Sequence, residues 1–346
     1  MHRLALGSFS ILSGLMLALA VPAAAQEVKE LHVMDAGGQW GDAVAKCVDE
    51  PLLKDKGIKV IVETPGGYAK LAAQVKAGVV NNVSTDAGTN ELSRLISEGL
   101  IEKIDWAAVN PEPMFEEARN EYGFGSSYYS TIMAWRKDAA APKDWAEFFD
   151  TEKFPGKRAL PDYPDYLLPF AAIADGVAPD EVAKGFDLDR AFKKLEELKP
   201  NLALWWSSGA QSVQLLTDGE IDMEAVWNGR AQAAIEGGAS ADYTYNQGIY
   251  DVECFMVLKG TKHKDAAMKI INTMLDAKNQ ATAASMIDYG PVNPKAFDTG
   301  IIPADRKKRL PSAPDNLKVQ APLDAAWYAT ADADKAFARW TTLLQK

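Results

Sequence analysis

Histidine and cysteine are scarce in this 346-residue chain, with three and two copies. His2 belongs to the extreme N-terminus, His32 falls in an apolar stretch and His263 sits between Lys262 and Lys264; none adjoins a nucleophile signature. No G-x-S-x-G, H-E-x-x-H, G-x-x-x-x-G-K-[ST] or cysteine cluster occurs, so the usual hydrolase, zinc-protease and P-loop chemistries lack their parts. A carboxylate-only hydrolase survives that test, because two acids can suffice without histidine. Positive charge is short as well: 37 lysines and arginines face 48 acids, a formal charge of -11, which argues against nucleic acid as a partner. Beyond the N-terminal segment no run is apolar enough to span a bilayer.

What is present begins with Met1-His2-Arg3, an apolar run from Ile11 to Val21, then Pro22 and Ala23-Ala24-Ala25. A basic start, a short apolar stretch and small residues read as an export leader, residues 1–25, cleaved after Ala25. Its loss takes away Arg3 and no acid, so the charge moves from -11 to -12. Cys47 and Cys254 would then meet an oxidising compartment that allows a bridge without requiring one; two buried thiols are the plainer reading.

The chain alternates strand, loop and helix, the pattern of an α/β sheet. Leu31–Met34 and Ile58–Val62 read as strands, the second closed by the turn Thr64-Pro65-Gly66-Gly67 and followed by a helix from Tyr68 to Ala77. A helix from about Asn90 to Glu98 stops at Gly99. The small, polar run Gly123 to Thr131 leading to Trp135 suits a crossing between two lobes, which a chain of this length is expected to form. Asp187–Leu198 is amphipathic, Phe255–Leu258 reads as a return strand and Lys264–Leu275 as a helix. Arg306-Lys307-Lys308-Arg309 reads as a solvated turn.

Several segments in order resemble the spermidine/putrescine-binding branch of bacterial solute-binding proteins: Gly99-Leu100-Ile101-Glu102-Lys103-Ile104-Asp105, Tyr129-Ser130-Thr131-Ile132, Asp144 to Phe149 with Phe154-Pro155-Gly156-Lys157, Gly219 to Met223 with Val226-Trp227-Asn228-Gly229, Gly248 to Gly260 and Tyr289-Gly290-Pro291-Val292-Asn293. The resemblance implies an α/β, two-lobed periplasmic binding protein fold of type II, its lobes joined by crossing hinge strands. The first lobe would comprise 26–130 and 254–300, the second 131–253 and 301–346. It also implies a monomer in the periplasm, without cofactor or enzymatic activity, that captures a small amine-bearing solute, a putrescine- or spermidine-like polyamine or a related amine, by lobe closure and presents it to an ABC permease in the inner membrane.

A polyamine needs carboxylates for its ammonium groups and aromatic faces for its chain. Trp40, Trp205, Trp206 and Trp227 lie in expected loops or at strand ends, whereas Trp145, Trp327 and Trp340 read as core anchors. Of the pair Trp205-Trp206, followed by Ser208, one ring should face inward, and which one is open. In the polyamine-binding relatives an aromatic and an acid precede the return strand; Asp251 and Glu253 stand there. Asp162 keeps an acid that follows the strand at Ala159-Leu160-Pro161, but Tyr163 and Tyr166 replace further ones, which weakens a long polyamine as ligand. Arg230 is either a surface residue or the reader of a ligand carboxylate, and the latter would make the solute an amino acid, an opine or a γ-aminobutyrate-like zwitterion. Tyr68, Thr89, Tyr128, Tyr129 and Tyr289 are further candidates as hydroxyl donors or stacking faces. The doublet Tyr128-Tyr129 also raises ferric iron, for which hard oxygen ligands are suited, although neighbours in a strand point apart.

Overall fold

The computed structural model describes residues 28–345 except 36, 65, 66, 79, 81, 82 and 110–112, and the side chains of 84–86 are also outside the description. The expected leader and the middle of the turn at 64–67 therefore lie outside the described residues. The strands are β1 (Glu30–Met34), β2 (Lys59–Glu63), β3 (Ser84–Ala87), β4 (Gly123–Arg136), β5 (Arg158–Pro161), β6 (Leu202–Trp206), β7 (Met223–Trp227) and β8 (Ala241–Val257). They lie in the order β2-β1-β3-β8-β4-β7-β5-β6.

At each end of this order the strands are parallel, β2 with β1 and β3 on one side, β7 with β5 and β6 on the other. Between them run the long β4 and β8, antiparallel to one another from Gly123↔Met256 to Arg136↔Ala241. These two strands cross from one core to the other, which makes the fold two-lobed. Phe124, Tyr128, Val252 and Cys254 to Leu258 belong to one apolar core with β1, β3 and the helix Lys264–Leu275. Ile132, Met133, Ala134, Ala241 and Ile249 belong to the clusters around β5, β6 and β7. The ladder is irregular between Gly125 and Ser127 and between Thr131 and Met133, where bulges bend and twist a strand.

Local sequence explains the helices that flank this sheet. Asp187 caps Leu188–Leu198 by accepting the N–H groups of Asp189 and Arg190, and Ala191, Phe192, Leu195 and Leu198 form its buried stripe. Trp145 and Trp340 are buried, the former stacked on Phe170 with centroids 3.8 Å apart, while Trp327 is half-buried. Cys47 and Cys254 are buried in the first core, and no disulfide joins them.

Two expectations need correction. The return strand is far longer than Phe255–Leu258, because β8 begins at Ala241 and spans both lobes. The basic tetrad is no loose turn: it ends the helix Ala304–Arg309, and Arg306 and Arg309 reach the buried Asp288 carboxylate at 2.6 and 2.9 Å. Glu236 joins them at 3.5 and 3.6 Å. A buried carboxylate needs such partners, and only a tertiary contact supplies one to a charge run.

Candidate binding cleft between the lobes

A cleft of about 510 Å³ opens where the carboxyl ends of the parallel strands meet β4 and β8, the place at which open α/β sheets take ligands. One wall follows strand ends. Tyr163, two residues beyond β5, stacks on Trp227 at the end of β7, 5.8 Å apart and 21° from parallel. Trp206, the last residue of β6, stands edge-on behind both, at 5.8 Å from Tyr163 and 5.1 Å from Trp227. Trp206 is fully buried and donates Nε1–H to the Ala225 carbonyl at 3.1 Å. Its neighbour Trp205 turns to the other face and packs edge-on against Trp340, which settles which ring faces inward.

Arg230 lies in the first turn of the helix Asn228–Glu236 that follows β7. Asn228 fixes that turn, accepting from the Ser130 N–H at 2.9 Å and donating to the Asp288 carbonyl. The arginine Nε is buried and has no hydrogen-bond partner among the described residues; the same holds for Trp227 Nε1. Beside Arg230, Ser207, Ser208 and Gly209 line the cleft at the start of the helix Gly209–Asp218. A guanidinium next to a helix N-terminus makes this end of the cleft attractive to an anion.

The other wall is aromatic and acidic. Tyr289 meets Trp40 at 5.8 Å and Tyr129 at 6.2 Å, and Gly229 has no Cβ because one would fall 2.7 Å from Tyr289 Cε1. The Tyr129 hydroxyl donates to Asp251 at 2.9 Å and lies 2.7 Å from the Tyr166 hydroxyl. Glu91, Asp165 and Glu253 also line the cleft. Asn90 donates to Asp165 at 3.1 Å. Burial is the main force that pushes the Asp165 carboxyl up to about 6, and burial likewise raises Glu91 and Asp251. Their mutual repulsion adds to the effect on Glu91 and Asp165. Acids crowded in this way gain from a cation between them.

Of the candidate residues, Trp40, Tyr129, Tyr163, Ser208, Trp227, Arg230, Glu253 and Tyr289 share this cleft. Asp251 is buried behind it, holding Tyr129 and the backbone and side chain of Thr89. Tyr128 faces away, into the first core against Phe115 and Tyr250, so the doublet presents no pair of phenol oxygens to iron. Tyr68 bonds Glu98 at the surface. Asp162 lies at the strand end without lining the cleft, its N–H donating to the Trp206 carbonyl. Asn90, Glu91, Asp165, Tyr166 and Ser207 line the cleft and were not among the candidates. Asp165 sits between positions 163 and 166, where tyrosines replace the acids of the polyamine-binding relatives, and supplies the charge from a neighbouring place. Glu91 gives a local signal, an acid in a first helical turn behind Gly88.

Residues 48–309 match the family described as bacterial extracellular solute-binding protein. The chain belongs to that family. It is similar, at 34% identity over 92% of both chains, to a gamma-aminobutyric acid-binding protein of Pseudomonas aeruginosa. It is 26% identical to a spermidine/putrescine-binding periplasmic protein of Escherichia coli over 72% of this chain and 75% of the other. Among solved structures, an ABC transporter substrate-binding protein from Bradyrhizobium japonicum superposes with a TM-score of 0.86 at 39% identity, covering 91% of this chain and 99% of that one. The protein is thus the substrate-binding component of an ABC transporter, a class that binds small solutes and works with a membrane permease.

Proposed function

We propose that the cleft takes a small zwitterion with an ammonium group and a carboxylate, of the γ-aminobutyrate, amino-acid or opine kind, and that the lobes close over it. The observation that carries this reading is Arg230: a buried guanidinium nitrogen without a partner among the described residues, in the same cleft as Glu91, Asp165 and Glu253. Burying such a group unpaired is costly, and a carboxylate answers it with two parallel hydrogen bonds. The acids take the ammonium group, and Trp40, Tyr163, Trp227 and Tyr289 cover the carbons between. Closure then excludes water and strengthens both ion pairs. The name of the Pseudomonas relative supports the same chemistry.

A di- or triamine is the second reading, favoured by the number of carboxyl groups that line the cleft and by the Escherichia relative. It would leave Arg230 facing an ammonium group. The remaining proposals follow from the family and the sequence: a leader removed after Ala25, a monomer in the periplasm, no catalysis, and lobes comprising 26–130 with 254–300 and 131–253 with 301–346. Neither His32, paired with Glu63 at 3.5 Å on β1, nor the exposed His263 lies in the cleft.

A thermal-shift panel of γ-aminobutyrate, common amino acids, opines, putrescine and spermidine tests the choice, since a ligand bound only by the folded state raises the melting temperature. Carboxylate-bearing amines should give the larger shifts, and Arg230→Ala should weaken them by about tenfold or more, the worth of a charge-assisted hydrogen bond. Shifts with di- and triamines alone would replace the first reading by the second.

A further inference from the structure

We infer that Gly209 positions the Arg230 guanidinium and thereby decides whether the cleft can read a carboxylate; the inference rests on the zwitterion reading above. Gly209 opens the helix Gly209–Asp218 behind its cap, Ser208, whose hydroxyl accepts from the Gln211 N–H at 3.3 Å. Its φ lies outside the left-handed region, so the backbone there makes no demand for glycine. The space does. A Cβ at this position would fall 2.5 Å from Arg230 Nε, 3.1 Å from its Cδ and 3.2 Å from its Cζ.

The arginine thus packs against the first turn of a neighbouring helix, in a place that exists because residue 209 has no side chain. Its Nη2 extends to within 3.9 Å of where a Cβ of Gly38 would stand, beside the helix Gly38–Val44 on the far wall. All three atoms a new methyl group would strike belong to one flexible side chain, so the guanidinium moves and the backbone stays. Alanine is also the better helix former. Position 209 therefore separates two properties that core substitutions change together: a side chain there costs the anion-reading geometry and leaves the fold intact or firmer.

Calorimetric titration of the protein with γ-aminobutyrate and with putrescine, which differ at one end of a four-carbon chain, tests this. Gly209→Ala should weaken γ-aminobutyrate about tenfold or more, as the loss of a charge-assisted hydrogen bond does, leave putrescine unchanged, and keep or raise the melting temperature of the free protein. In an Arg230→Ala background, Gly209→Ala should cause no further loss, because the two residues act as one unit. If Arg230→Ala weakens γ-aminobutyrate and Gly209→Ala does not, the role of Gly209 is wrong and the zwitterion reading stands. Equal losses for both ligands, or additive losses in the double variant, would make Gly209 a general structural residue and overturn the inference. If Arg230→Ala binds γ-aminobutyrate like the wild type, or the wild type does not bind it, the zwitterion reading falls and this inference with it.

Discussion

Asp165 and Trp227 are the side chains through which the cleft should be most sensitive. The Asp165 carboxyl, raised to about 6 by burial, holds its proton more tightly in the folded chain than in the unfolded one. Its contribution to stability is therefore lost as pH rises from about 4, the value for a free aspartate, to about 6, and stays lost above that. Asp165→Asn, which can still accept from Asn90, should stabilise the free protein at pH 7 by up to ~3 kcal/mol and so raise its melting temperature. The same change should weaken an amine-bearing ligand. In the wild type, a bound ammonium group should expel the proton, so affinity should fall below about pH 6, and titrations in buffers of different ionisation heat should show proton release there. Absence of proton release would remove Asp165 from the ammonium end. Trp227→Ala takes one face from the stacked pair with Tyr163 and should cost roughly 1 kcal/mol or more of ligand affinity. Unchanged affinity in a titration would exclude Trp227 from the site.

The elements that position these residues were legible to different degrees. Helix Lys264–Leu275 begins and ends where its apolar pattern and flanking residues place it, and the helix at Thr89–Ser97 stops short of Gly99 as expected, because caps and periodicity are local. β8 was not legible over its first half, where Tyr243, Thr244, Asn246 and Gln247 break the apolar run; Tyr243 and Thr244 are held by pairing with β4, and Asn246 and Gln247 by bonds to Lys143 and Trp145 about a hundred positions away, which no local rule can register. The inward ring of Trp205-Trp206 was equally closed to sequence, since alternation gives two faces without saying which is the core. The cleft was legible where a family motif stood, as at Trp227 and Tyr289, and illegible at Asn90 and Asp165, whose bond joins residues 75 positions apart. Within β7 lies an element-scale oddity: Glu224 is buried, neither of its carboxyl oxygens has a partner among the described residues, and burial holds its proton on. It sits opposite Ala134 of β4 and Ala159 of β5. Glu224→Met, similar in size, should stabilise the second lobe by roughly 1–3 kcal/mol. The gain should grow as pH rises above the ordinary glutamate value, since the wild type must keep a proton that the unfolded chain releases. A denaturation midpoint that does not move with the substitution would show that the carboxyl is satisfied after all.

At the scale of the whole molecule, two strands and a small set of contacts hold the lobes in relation to each other. β4 and β8 provide the crossing, with irregular pairing at Ser127 and Met133. Asn90 to Asp165 and Tyr129 to Asp251 bridge the cleft floor. Ligand that touches both walls should shift the population to a closed form, and small-angle scattering should show a smaller radius of gyration on saturation. An unchanged radius would mean that the free protein is already closed. The clamp of Arg306 and Arg309 on Asp288, next in sequence to Tyr289, ties the C-terminal segment to the cleft wall. The distribution of tryptophan has an optical consequence. Of the nine indoles, Trp40 and Trp227 stand on facing walls and Trp206 directly behind one of them. A solute entering between them changes the polarity and quenching around several emitters at once, so the protein carries an intrinsic fluorescent reporter of its own occupancy and can be titrated without a dye.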